Sequence, residues 1–172
     1  MLLLACTCTT VIFTSCKKDD VTETNPTEGL TKQVEGYAAG AAAKVVVYTK
    51  ESTIYSGYQR FYIALYDSTT GKFIDDAHVK LTPTMDMGTM MHNAPYENPQ
   101  SEEAVNHLFP CSVAFIMSSM GGSWTVKVNV HNHNAGKEGA ITFPFTVAEP
   151  AKARIKSFTA AHDGQKYFVS LI

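Results

Sequence analysis

Trp124-Thr125-Val126-Lys127-Val128-Asn129-Val130-His131 alternates apolar and polar residues without a break. A strand turns successive side chains to opposite faces, so this run sends Trp124, Val126, Val128 and Val130 inward. Lys127, Asn129 and His131 face out. Such a half-buried strand with one inward Trp needs a second apolar layer to cover it. The flanks supply the boundaries: Ser119-Met120-Gly121-Gly122 reads as a turn before it, and Asn134-Ala135-Gly136-Lys137-Glu138-Gly139 as a turn after it.

The same pattern repeats on both sides. Lys44-Val45-Val46-Val47-Tyr48 is β-branched, and Tyr58-Gln59-Arg60-Phe61-Tyr62-Ile63-Ala64-Leu65-Tyr66 is aromatic and aliphatic up to the turn Asp67-Ser68-Thr69-Thr70-Gly71. Ala77-His78-Val79-Lys80-Leu81-Thr82 alternates, Val113-Ala114-Phe115-Ile116-Met117 is apolar, and Ile141–Val147 carries Pro144, which marks an edge strand. No amphipathic helical period appears. Six short strands between turn signals predict an all-β fold, an immunoglobulin-like antiparallel β-sandwich over 44–148, with a small closed barrel as the alternative.

The chain has 172 residues, 45% hydrophobic and 17% charged, with a net charge of −2. One domain with a real core fits that length. The charge balance offers no basic stripe for nucleic acid, and no apolar run reaches the roughly 18–20 residues of a membrane-spanning helix. Residues 1–15 are uncharged and read as a signal peptide. Phe13-Thr14-Ser15-Cys16 resembles a bacterial lipobox, which implies lipidation at Cys16 and a membrane partner through the lipid. Residues 16–43, rich in Thr, Glu, Gly and Ala and without a period, are expected to be a disordered N-terminal tether. Cys111 would then be the one cysteine of the mature body, a small buried hydrophobe with no disulfide to make.

At the other end, Gln165–Ile172 aligns with Gln59–Tyr66, each after a glycine. We read 149–172 as a linker and the truncated start of a second similar domain. The alternative is that these strands complete the first sheet.

The chemistry concentrates in Met85-Asp86-Met87-Gly88-Thr89-Met90-Met91-His92. Thioether sulfur suits Cu(I), and imidazole extends a site to Cu(II). Strand parity carries the argument further. If the 93–107 connection returns to the same pole, the Trp124 strand ends beside the Met loop, with Met117 and Met120 at the far pole. The expected copper ligands are then Met85, Met87, Met90, Met91, His92, His131 and His133. Other readings stay open: a plug over the sandwich, a sticky surface for a protein partner or a non-metal spacer module at the cell surface, or histidines idle in solvent. His78 and His107 are expected to be structural or exposed, and His162 falls in the partial repeat. No nucleophile, phosphate loop or metalloprotease pattern points to an enzyme, and Asp75-Asp76 and Glu102-Glu103 read as solvated acids.

Three segments together resemble the YtkA-like domain family, related in pattern to FixH-like proteins. They are Phe61–Asp67 leading to Ala77-His78-Val79, the loop Pro83–Pro95, and Val113–Met117 with Gly122–Val126. The resemblance implies an exported immunoglobulin-like sandwich in the cell envelope and a role in copper handling or cytochrome oxidase assembly, with no established reaction. The extra methionines, and His92 four residues after Gly88, depart from the family's pattern. The Ser15-Cys16-Lys17-Lys18-Asp19-Asp20 start resembles Bacteroidetes lipoproteins.

Overall fold

The computed structural model describes residues 25–170. The expected signal peptide, the expected lipidation site Cys16 and the first part of the expected tether lie outside the described residues.

Two antiparallel sheets face each other. The first runs β1 (Thr31–Ala38), β2 (Ala43–Thr49), β3 (Gly57–Asp67), β7 (Phe109–Phe115) and β6 (Tyr96–Glu97). The second runs β5 (Met91–Asn93), β4 (Ala77–Asp86), β8 (Ser123–Asn132) and β9 (Lys137–Phe145). This is an all-β, immunoglobulin-like sandwich. Pro144 sits on β9, an edge strand, where its missing N–H costs no ladder bond.

The alternation of β8 does what its sequence dictates. Trp124, Val126, Val128 and Val130 are buried, while Lys127, Asn129 and His131 are not. Trp124 meets Phe115 of the facing sheet edge-on at 5.1 Å between centroids, and Phe61 stacks on Phe145 at 5.4 Å across the same gap. Trp124 Nε1 donates to Met117 O at 3.0 Å, so the indole buries its ring without orphaning its N–H.

The segment expected to be tether is corrected at 31–43. Residues 31–38 form β1, paired to β2 with a bulge between Lys32 and Val34. Its weak apolar signal has a steric cause: β1 and the turn after it come so close to β9 that side chains must be small. Ala39 N donates to Ala140 O at 3.1 Å, and a Cβ on Gly139 would overlap Ala39 O. Asn132, buried, ties the same seam by donating to Ala41 O at 3.2 Å. Strand β7 also starts earlier than its sequence suggests, because Phe109, Cys111, Val113 and Phe115 are its inward set.

β10 (Ile155–Thr159) and β11 (Lys166–Ser170) pair only with each other, and so do not complete the first sheet. The ribbon sits by the start of β3, where Tyr58 N donates to Ser170 Oγ at 3.0 Å and Arg154 bridges to Glu51 at 2.9 Å. Strand β1 begins at this same end of the sandwich, Thr31 opposite Thr49.

Replacing Trp124 by Ala removes the ring and the partner of Met117 O together. Denaturant unfolding is expected to show a loss of about 3–5 kcal/mol. On the outer face of the first sheet, burial and then the hydrogen bond with Tyr48 raise the Tyr66 phenol from 10.0 to about 12. A raised phenol keeps its stabilising contribution below the unfolded value and loses it as pH climbs from 10 to about 12. Tyr66→Phe is therefore expected to flatten that part of the stability–pH curve measured by chemical denaturation.

Candidate functional site: a methionine pole and a histidine pole

The ladder between β4 and β8 places the expected ligands. It pairs Met85 with Trp124 at one end and His78 with His131 at the other. Trp124 and His131 are seven residues apart along β8, about 23 Å. The Met loop and the His131/His133 pair therefore stand at opposite poles, and the seven-ligand copper site is corrected: no ion reaches both groups. The parity fails at its proviso. The 93–107 connection does not return to the Met pole but crosses the molecule, so that Glu102 O accepts from Ala77 N at 2.9 Å and Ala104 N donates to Asp75 O at 2.7 Å. Met117 and Met120, expected at the far pole, share the pole of the Met loop.

The Met loop is a hairpin rather than a coil. β4 continues through Asp86 and β5 begins at Met91, with Met87 N donating to Met90 O at 3.0 Å. Gly88 takes the first of the two turn positions at φ +80°, which a glycine adopts without strain, and its N–H donates to Asp86 Oδ1 at 2.7 Å. Directly opposed residues share a face. Met85 faces with His92, and Met87 with Met90; Asp86 and Met91 point the other way.

Burial then grades the donors. Met85 is 1% exposed and belongs to the core, its Cε beside Gly122. Met87 and Met117 are half-buried against that core. A Cβ on Gly121 would lie 3.5 Å from both Met117 Sδ and Met85 Cε. Met90, Met91 and His92 are exposed, and Met120 stands 91% exposed. Met90 Sδ lies 3.0 Å from His92 Nε2.

The other pole gathers imidazoles and carboxylates. His133 Nδ1 donates to Asp76 Oδ1 at 2.6 Å, and His107 Nδ1 donates to both oxygens of Asp75 at 2.8 and 2.9 Å. His107 also stacks on Phe73 at 4.3 Å and sits at φ +62°. Together with Asn106, it fills the two left-handed positions of a tight turn closed by Val105 and Leu108. Asp75 and Asp76 are thus partners of histidines, not merely solvated acids, and His107 is structural. Neither pairing is signalled by sequence spacing. Among the described residues no three His, Cys, Asp or Glu side chains surround a common point.

Cys111, buried, donates weakly to Phe61 O at 3.7 Å, and burial pushes its thiol well up. It is no ligand for either pole. Comparison with protein-family models, curated proteins and solved structures finds no match. The fold and the two poles define the class: an immunoglobulin-like β-sandwich with soft donors at one end and imidazole–carboxylate pairs at the other.

The grading predicts a split among the methionines. Met85→Ala is expected to cost about 2–5 kcal/mol in unfolding free energy, as a core truncation. Met120→Ala at the exposed tip is expected to stay within about 0.5 kcal/mol.

Proposed function

We propose that this chain is an exported, lipid-anchored envelope module of YtkA-like type that binds Cu(I) at the β4–β5 hairpin. The site is smaller than the sequence pattern suggests. Met87, Met90 and His92 share one face of the hairpin at its solvent edge, with Met85 and Met117 behind them. His131 and His133 take no part. The carrying observation is the 3.0 Å approach of Met90 Sδ to His92 Nε2, a thioether and an imidazole near enough to serve one ion. Neutral soft donors favour Cu(I) over harder cations, and the two-residue turn holds the donor face in register. The role is binding or delivery, with no reaction at the protein. The uncharged stretch before Cys16 supports export and anchoring.

A second reading, a docking surface for a protein partner, draws on Met91 and Met120. Both stand in solvent, and the shared hairpin face uses neither.

Cu(I) competition against a chromogenic chelator tests the first reading on the full chain, its accessible thiols first blocked with N-ethylmaleimide. One ion per chain is expected, weakened at least tenfold in Met90→Leu and in His92→Ala and unchanged in His131→Gln. Absence of competition at micromolar copper, or binding indifferent to both hairpin variants, would leave only the docking surface.

A further inference from the structure

Three strands bring a row of donors together at the pole opposite the hairpin. His78 on β4 is directly opposed by His131 on β8, which is in turn opposed by Glu138 on β9. Side chains so opposed leave the sheet about 4.5–5.5 Å apart at Cβ and on one face. His133 follows His131 by two residues, and the two rings meet edge to face at 4.8 Å between centroids. His78, His131 and Glu138 line a surface hollow of about 510 Å³ on the outer face of the second sheet, and His133 reaches the row through its ring contact with His131.

The hydrogen bonding sets the ring nitrogens. A carboxylate accepts only, so the 2.6 Å contact with Asp76 places a proton on His133 Nδ1 and leaves Nε2 as the ring nitrogen that a metal would take. A carboxylate behind an imidazole is the arrangement that orients metal-binding histidines and raises their basicity. His78 has a looser counterpart in Glu102, 3.8 Å from its Nδ1.

We propose that His78, His131 and His133 form a second cation site, for a borderline divalent ion such as Zn(II) or Cu(II), with Glu138 offsetting its charge. Imidazole nitrogens select these ions, as thioethers do not. The rings do not yet surround one point, so binding draws them together by rotation about their own χ torsions. His78 and His131 are surface side chains with room to turn, whereas His133 is already aimed. Asp76 is a positioning residue acting through His133. Lys80, one row inward on the same face, is the cation that binding must oppose. This site rests on the β4–β8–β9 register and not on the hairpin, so failure of the Cu(I) reading leaves it standing.

Calorimetric titration of Zn(II) into the tag-free full chain, thiols blocked as above, tests it. One ion per chain is expected with a dissociation constant of about 10 μM or tighter. His131→Gln, at an exposed position that folding does not need, is expected to weaken binding at least tenfold. Asp76→Asn should weaken it about 10–100-fold through loss of the oriented ring. Met90→Leu should change nothing. With Cu(II) as the probe, electron paramagnetic resonance should show nitrogen hyperfine splitting that His131→Gln reduces. No Zn(II) heat at about 100 μM, or equal affinity in His131→Gln, overturns the proposal.

Discussion

The ladder between β4 and β8 runs without a bulge from Ala77–Asn132 to Asp86–Ser123, and each chemical group on the second sheet takes its place from it. A strand pair has a side-chain period of two, so a slip of one residue would turn Trp124 and the three valines of β8 to solvent. Burial of that stripe against Phe61 and Phe115 fixes the register. The register then sets Met85 against Trp124 and His78 against His131, seven residues away. Chemistry at the two ends is therefore a by-product of how the middle packs.

The aromatic cluster lies toward the methionine pole, and this explains the gradation there. Met85 completes the packing beside Trp124, and Met87 and Met117 cover its edge. Beyond them the hairpin leaves the core, and Met90, Met91 and Met120 have no layer above them. Flexible thioethers suit such a fringe because they fill irregular gaps where a branched side chain would clash. A plug and a soft-donor face are not rivals here; successive methionines of one hairpin serve each.

The sandwich was legible because its inward sets are large. Alternation in β8, the aromatic run of β3 and the edge proline of β9 each say where a strand lies and which face it buries. Strand β1 was not legible, since Gly36 within it and Gly40 in the turn after it are small for the sake of close approach to β9, and small residues carry little periodic signal. The poles were misassigned for another reason. Parity counting needs every connection, and residues 93–107 hold only short strands and turns, with no period to show that they cross the molecule. The Asp75–His107 and Asp76–His133 pairs span 32 and 57 residues, beyond any local rule. The methionine cluster could be read from the sequence; which of its members share a face required the two-residue turn at Gly88-Thr89.

One consequence of the strand order concerns which way the body points. Strand β1 starts, and the β10–β11 ribbon sits, at the end that bears the methionine hairpin. Under the lipid-anchored reading proposed above, a leash attached upstream of Asn25 would pull on that end. A sandwich hung from a bilayer in this way would hold its thioethers toward the lipid and lift its imidazoles away from it. The two donor sets would then sample different depths of the surrounding fluid, the inner one screened by the body itself.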